Sequence, residues 1–348
     1  MKLKLTKGNA AIAEAAVLAG VRAYFGYPIT PQNEVPEYLS RLMPKAGGVF
    51  VQAESEVAAI NMVYGAAATG VRTMTSSSSP GMALKQEGIS YLSGANLPCL
   101  IVSVSRAGPG LGGILPSQSD YFQATRGGGN GDYQNPVFAP STVQEIWDLV
   151  FHALNIADEY RTPVILLLDG ALAQMMEPIE KRELEIKSVP KPWATDGDTS
   201  ARQKNIINSL SLNADILEAQ NIERFERYEK IIKNEVMFES DLKDGDEFAI
   251  IAYGTPARIA ANAVNALREK KIGVGLFRPI SLWPFPNLDA LLPRSVKFLT
   301  VAELSMGQML DDVKINAGGR AVNFVGRVGG NIFEPEEIVE AVLRFSES

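Results

Sequence analysis

The sequence predicts an α/β protein with a parallel sheet covered on both faces, followed by a second, smaller α/β domain. Two short runs, residues 99–104 (CLIVSV) and 163–168 (PVILLL), are apolar at almost every position, as strands buried on both faces are. Such runs alternate with longer helical stretches, the pattern of repeated strand–helix–strand units. The chain has 348 residues, enough at about 100–200 residues per domain for two or three domains with their own cores.

The elements follow in order. Asn9 is placed to cap a helix over 10–18, which Gly20 ends before a strand over 23–26. Strand 49–52, helix 56–68, strand 72–75, helix 82–92 and strand 99–104 come next, then, after a loop, strand 137–139, helix 143–160 and strand 163–168. Residues 180–246 break the alternation. The turn-rich piece 190–198 precedes a charged helix over 221–235 with Ile222, Phe225, Tyr228, Ile231 and Ile232 along one side, which reads as a linker packed between domains. The pattern restarts with strand 248–255 entering a tight turn, a helix through Leu267, strands 274–277, 297–301 and 322–325, and a closing helix 334–345. Three parts result: 1–180, a helical linker 181–245, and 246–348.

Composition narrows the function. Hydrophobic residues make up 46% and charged residues 21%, an ordinary α/β balance rather than a low-complexity one. The net charge of -7 gives no electrostatic reason to bind nucleic acid or an anionic membrane. With 1 Cys (Cys99) and 1 His (His152), the chain can form no internal disulfide and can build neither an iron–sulfur cluster nor a Cys/His zinc site alone. A Ser–His–Asp hydrolase would rest on His152, which the pattern places on a helix face. The first eight residues are too polar for a secretory signal, and no apolar run reaches the roughly 18 residues of a membrane span, so a cytoplasmic protein with no membrane partner is expected.

Ligands of a parallel sheet bind beyond the carboxyl ends of its strands, and four loops there carry chemistry. Tyr27-Pro28-Ile29-Thr30-Pro31 holds a hydroxyl in a loop stiffened by two prolines, although Thr30 suits a helix cap equally well. Glu54-Ser55-Glu56 opens an Ala-rich helix, where the macrodipole alone would favour acids. The apolar residues that follow allow one of them to enter a dry cleft and grip a protonatable ring nitrogen. Thr75-Ser76-Ser77-Ser78-Ser79-Pro80-Gly81 reads as a hydroxyl-rich strand-to-helix turn that suits a polar ligand or a plain helix start. Arg106, in a glycine-rich loop at a strand end, is placed either to clamp a small carboxylate at two points or to form a structural ion pair. The segment after these glycines, Ile114-Leu115-Pro116-Ser117, is no helix, so a dinucleotide fingerprint fails its context, and there is no P-loop.

The loops Tyr27-Pro28-Ile29-Thr30-Pro31, Glu54-Ser55-Glu56, Arg106-Ala107-Gly108-Pro109-Gly110-Leu111-Gly112, Pro116-Ser117-Gln118-Ser119-Asp120-Tyr121-Phe122-Gln123-Ala124, Asp169-Gly170 with Gln174-Met175-Met176-Glu177-Pro178, and Glu303-Leu304-Ser305-Met306-Gly307-Gln308-Met309 together closely resemble the alpha subunit of 2-oxoacid:ferredoxin oxidoreductases. The resemblance runs in order over about residues 8–345 and is most like the 2-ketoisovalerate (3-methyl-2-oxobutanoate) type. It implies a transketolase-like pyrimidine-binding domain followed by a transketolase C-terminal-like domain. It also implies oxidative decarboxylation of a 2-oxoacid with coenzyme A to acyl-CoA, carbon dioxide and reduced ferredoxin, with thiamine diphosphate as cofactor.

By the same resemblance, Glu56 is the cofactor-activating glutamate, Tyr27 and Pro28 lie beside the cofactor, and Thr30 and Arg106 hold the substrate carboxylate. A carboxylate on the pyrimidine ring promotes the tautomer that deprotonates the thiazolium, and the cofactor is the electron sink. A Gly-Asp-Gly signature that would bind the diphosphate through magnesium is missing: Gly197-Asp198-Thr199 and Gly245-Asp246-Glu247 do not form it. The resemblance therefore implies half a site, with thiamine diphosphate shared with a beta subunit and magnesium on that partner. The iron–sulfur clusters would lie on the beta or a ferredoxin-like delta subunit, and a gamma subunit would complete the assembly that reduces ferredoxin. Asn130 and Ala171 depart from the family pattern and bear on substrate. The competing readings are the same reaction on 2-oxoglutarate, pyruvate or an aryl pyruvate, and a non-catalytic transketolase-like scaffold, against which stands the joint presence of Thr30, Glu56 and Arg106.

Overall fold

A computed structural model describes residues 3–197 and 203–346. The chain begins with β1 (Lys4–Lys7), α1 (Gly8–Leu18), β2 (Ala23–Gly26), α2 (Glu34–Leu42), β3 (Val49–Gln52), α3 (Glu56–Ala68), β4 (Thr73–Ser78) and α4 (Ser79–Gly94). It continues through β5 (Cys99–Ser105), α5 (Tyr121–Thr125), β6 (Val137–Phe138), α6 (Val143–Tyr160), β7 (Pro163–Asp169), α7 (Gly170–Gln174), β8 (Met176–Ile179), α8 (Ala214–Asn234) and β9 (Phe238–Ser240). The last part holds β10 (Phe248–Ile251), α9 (Gly254–Glu269), β11 (Val274–Pro279), β12 (Ser281–Trp283), α10 (Leu288–Leu291), β13 (Phe298–Glu303), α11 (Gln308–Asn316), β14 (Ala321–Gly326) and α12 (Pro335–Ser346).

A seven-stranded sheet runs β12-β6-β7-β5-β4-β2-β3 and is parallel except at β12. A five-stranded sheet runs β14-β13-β10-β11-β9 and is parallel except at β9, while β1 and β8 form an antiparallel ribbon. Strands β5 and β7 are buried at every residue, which is why they read as unbroken apolar runs. The chain passes from β2 to β3 on one side and then crosses to β4 on the other. The strand order therefore reverses between β2 and β4, and the crevice at their carboxyl ends is where such a sheet binds ligand.

The structure departs from the sequence reading at five places. Asn9 does not cap α1, because the helix begins at Gly8; the buried Asn9 amide instead donates to Pro31 O at 2.9 Å and Glu34 Oε2 at 2.7 Å, pinning the start of α2. The serines expected in a turn form the second half of β4, fully buried, and α4 starts at Ser79, without an intervening loop. The linker helix is longer than expected and leaves Ile222, Phe225 and Ile232 exposed. Tyr228 and Ile231 face inward beside a buried Arg224, whose guanidinium donates to Ser93 O at 3.2 Å and Gly94 O at 3.0 Å, the free carbonyls ending α4. The short strands β1, β8, β9 and β12 carry no long apolar run, and with the helices α2, α5, α7, α10 and α11 they fall outside the sequence reading. Finally, β12 lies within 246–348 yet pairs with β6 of the first sheet, so the last part of the chain completes the first. Of the earlier assignments, Met1, Lys2, Asp198 and Thr199 lie outside the described residues.

Candidate active site

Four of the segments singled out in the sequence lie at the carboxyl ends of β2, β3, β4 and β5 of the seven-stranded sheet. β2 ends at Gly26, where a Cβ would stand 2.2 Å from Tyr24 Oη, so only glycine lets the chain turn there. Beneath the loop runs a buried polar chain: Tyr24 Oη and Ser76 Oγ lie 2.8 Å apart, Ser76 Oγ donates to Gln32 Oε1 at 2.6 Å, and Thr75 Oγ1 donates to Phe25 O at 2.7 Å. These bonds fix the path of Tyr27-Pro28-Ile29-Thr30. Tyr27 and Pro28 are exposed, and Thr30 is half-buried with its hydroxyl accepting from Asn33 Nδ2 at 3.2 Å. Thr30 does not cap α2, whose N-cap is Asn33.

Glu56 opens α3. Ser55 caps the helix by accepting from Ala58 N at 3.1 Å, an interaction worth about 1 kcal/mol, and this fixes the first turn that carries Glu56 inward. Glu54 is exposed, whereas Glu56 is 6% exposed and its carboxylate accepts no hydrogen bond among the described residues. A helix-start acid serving only the macrodipole would remain exposed; this one is largely buried and accepts no hydrogen bond among the described residues. Across from it, a Cβ on Gly81 would lie 2.2 Å from Ser77 Oγ and 2.5 Å from Glu56 Oε1. Ser77 Oγ and Ser78 Oγ are buried and also lack partners. A buried carboxylate, the unpaired Ser77 hydroxyl and a bare glycine backbone thus face a common point.

Arg106, just past β5, is buried; its Nη1 donates to Thr30 O at 3.0 Å and its Nη2 to Leu111 O at 3.1 Å, while Nε has no partner. The structure brings Arg106 and Thr30 together as expected, but the guanidinium joins two loops through their carbonyls and is not held in a structural ion pair. Next to it, Ser79 Oγ accepts from Arg106 N at 2.9 Å and donates to Asp120 Oδ2 at 2.6 Å. Burial raises the Asp120 carboxyl above its ordinary range, against the lowering effect of Ser79, Ser105 and the Arg106 charge. Sequence reasoning gave Asp120 no role, and its only signal was its place in the polar string Ser117-Gln118-Ser119-Asp120 of a loop that carries the family resemblance.

The second part of the chain closes over this rim. Gln118 donates from Nε2 to Tyr253 O and accepts at Oε1 from Leu304 N, both at 2.9 Å. Asp169 caps α7 and receives Thr255 Oγ1 at 2.8 Å. Glu303 accepts from Met309 N, Leu310 N and Ser305 Oγ, which ties the start of α11 to β13. A cavity of 760 Å³ opens between these segments, lined by Ser79, Gly110, Asp120, Ser305, Met306 and others. A smaller one of 370 Å³ opens beside Thr30, Pro116 and Gln174. His152 sits on α6 against Phe138 and 3.6 Å from Glu235, in line with a helix-face role.

Among the described residues no group of three or more His, Cys, Asp or Glu is placed to hold a metal ion. The donor set suits the pyrimidine ring of thiamine instead: a carboxylate for the ring nitrogen, a hydroxyl for its other polar edge, and a glycine that leaves room for a flat ring. The fold and the residues gathered here fit the class of thiamine-dependent enzymes.

The particular family follows from sequence. Residues 14–235 match the family described as pyruvate flavodoxin/ferredoxin oxidoreductase, thiamine diphosphate-binding, and residues 246–338 match pyruvate:ferredoxin oxidoreductase core domain II. The chain belongs to this family of thiamine-diphosphate-dependent 2-oxoacid oxidoreductases, whose members form multi-subunit complexes. It is 48% identical over 345 residues to the ketoisovalerate oxidoreductase subunit VorB of Methanothermobacter thermautotrophicus, covering 98% of this chain and 97% of the relative. It is 34% identical over 371 residues to the 2-oxoglutarate synthase subunit KorA of Methanocaldococcus jannaschii, covering 99% of this chain and 100% of the relative. A solved 2-oxoglutarate:ferredoxin oxidoreductase from Magnetococcus marinus, with 2-oxoglutarate, coenzyme A and succinyl-CoA bound, superposes with a TM-score of 0.90 at 28% identity. It covers 99% of this chain and 65% of that one, so the present chain spans about two thirds of that neighbour's length. A split-gene transketolase, an inactive beta4 tetramer, gives a TM-score of 0.55 at 13% identity over 97% of each chain and shares the fold alone.

Proposed function

We propose that this chain is the alpha subunit of a 2-oxoacid:ferredoxin oxidoreductase that converts a branched-chain 2-oxoacid and coenzyme A to acyl-CoA and carbon dioxide, passing the electrons to ferredoxin. The observation that carries the reading is the Glu56 carboxylate, buried, without a hydrogen bond among the described residues, and facing Gly81 and Ser77 at the strand-order reversal. Thiamine diphosphate, when bound, supplies the electron sink for decarboxylation. Glu56 would hold a proton shared with the pyrimidine nitrogen. Tyr27 and Pro28 would flank the cofactor from an exposed loop ready to be covered by a partner. Thr30 Oγ1 and the free N–H groups of Arg106 would orient the oxoacid carboxylate, with Arg106 also fixing the Thr30 loop.

A beta subunit carrying the diphosphate-binding half and magnesium belongs to the same reading, with iron–sulfur clusters there or on a delta subunit and a gamma subunit beside them. Of the proposed three-part division, the boundary at 245/246 is supported by the two family matches, which break between residues 235 and 246, while the first match runs on through 180/181. The branched-chain preference rests on greater identity to the ketoisovalerate subunit than to the 2-oxoglutarate one. The test is turnover of a panel of 2-oxoacids by the complex purified with its partners. The expected result is the highest kcat/KM for 3-methyl-2-oxobutanoate. A higher value for 2-oxoglutarate or pyruvate overturns the subtype, and the absence of CoA-dependent ferredoxin reduction with every oxoacid overturns the enzyme reading.

A further inference from the structure

One buried charge near the site has no part in the reading above. Lys85 lies on α4 one helical turn beyond Gly81, on the same stripe, so the helix that presents its bare backbone to Glu56 also presents Lys85 beneath it. The side chain is fully buried, at 0% exposure, and its ammonium donates to Thr75 Oγ1 at 2.6 Å and Ser76 O at 3.1 Å, both uncharged acceptors on β4. A buried ammonium held only by neutral groups is costly unless an anion stands nearby.

The charged and titratable groups facing Lys85 are Glu56, from α3, and Cys99, from β5; Tyr24, from β2, reaches the same network through Ser76. Burial pushes the Cys99 thiol and the Tyr24 phenol far up, so both stay neutral. Glu56 is left as the anion that faces Lys85, and it is itself buried without a hydrogen bond. Each of the two charges lacks what the other provides.

We propose that Lys85 is the buried counter-charge of Glu56, a positioning residue that holds this carboxylate against Gly81, where it would meet the pyrimidine nitrogen of the cofactor. The inference rests on the assignment of Glu56 to the cofactor. Burial lowers the Lys85 ammonium to about 7, the Glu56 charge opposing that fall, so Lys85 carries its charge below that pH. The network through Thr75 and Ser76 to Phe25 O and Gln32 holds the ammonium in place and connects it to the Tyr27 loop.

The experiment measures thiamine diphosphate affinity of the assembled complex at pH 6 and pH 9 for wild type, Lys85→Met and Lys85→Gln, each also in a Glu56→Gln background. At pH 6, where Lys85 carries its charge, both single variants should lose affinity about tenfold, and the loss should shrink at pH 9, where the wild-type ammonium has released its proton. In the Glu56→Gln background, replacing Lys85 should leave the affinity unchanged at both pH values. Methionine fills the lysine's volume without its charge, and glutamine retains a donor; loss of assembly in one leaves the other as the test. Unchanged affinity at pH 6, or a loss that persists without the Glu56 carboxylate, overturns the inference. Failure of the wild-type complex to bind thiamine diphosphate overturns the cofactor assignment instead.

Discussion

Glu54 and Glu56 stand two residues apart in opposite surroundings, and the cap at Ser55 is what separates them. The cap orients the first turn of α3 so that Glu56 enters the crevice while Glu54 remains in solvent. Glu56→Gln should therefore lower turnover of the complex by about 100-fold or more, since acid–base groups contribute roughly 10²–10⁴-fold. Glu54→Gln should leave turnover near wild type, and steady-state rates of the two variants check the pair; the opposite ranking would move the cofactor contact to Glu54. Arg106 gives a second contrast. Its planar fork spans Thr30 O and Leu111 O, which lysine, with a single charged point, cannot do. Arg106→Lys should raise the KM for the 2-oxoacid by about 10-fold or more, equivalent to a loss of roughly 1.5–3 kcal/mol, while the affinity for thiamine diphosphate stays within about twofold. Unchanged substrate kinetics with weakened cofactor binding would reassign Arg106. Thr30, Glu56 and Arg106 were legible as candidates because each lies shortly past a strand end, in a stiff or glycine-rich loop or at a helix start. Lys85 was not legible: a lysine in LKQEG reads as a solvated helix face, and only the packing of α4 on β4 and α3 shows it buried.

The junction of β4 and α4 is the element on which the site depends most. Ser78 ends the strand and Ser79 begins the helix with Pro80 in its first turn, so no loop intervenes and Gly81 is held against Glu56. Gly81→Ala would place a methyl group 2.5 Å from Glu56 Oε1 and 2.2 Å from Ser77 Oγ. The expected outcome is assembly and helical circular dichroism like wild type, with thiamine diphosphate affinity reduced at least tenfold in a fluorescence titration; wild-type affinity would show that the cofactor does not use this crevice. The sequence displayed the buried strands and long helices because their apolar runs leave no other reading. It concealed α2, whose Pro36 is tolerated only because it lies in the first turn, and the β1–β8 ribbon, whose strands are partly exposed and carry no long apolar run. It also concealed β12, a three-residue strand whose partner β6 is remote in sequence.

At the scale of the whole molecule, the polar strings that carried the family resemblance mostly hold the two sheets together: Gln118 binds both Tyr253 and Leu304, Tyr121 Oη donates to Asp312 Oδ2 at 2.5 Å, and Gln308 Nε2 donates to Ser119 O at 2.7 Å. The rim of the crevice is thus set by both parts of the chain, and the stability of the whole bears on the site. Buried Lys85 makes that stability depend on pH in a calculable direction. Its ammonium is lowered from 10.5 to about 7 on folding, chiefly by burial. Between these values the unfolded chain holds a proton that the folded chain has released, so stability attributable to Lys85 rises with pH through this window. Cys99 and Tyr24 act oppositely: burial raises both, so their contribution falls once pH passes their unfolded values of 9.0 and 10.0. The contributions separate in a comparison of variants. Lys85→Met removes the rising limb and leaves the other two in place, so the thermal midpoint of the complex, at fixed subunit and cofactor concentrations, should favour Lys85→Met most at pH 7 and progressively less towards pH 9. A difference between the two midpoints that stays constant from pH 7 to 9 would mean that Lys85 keeps its ordinary proton affinity in the folded chain. The burial that pairs it with Glu56 would then not exist.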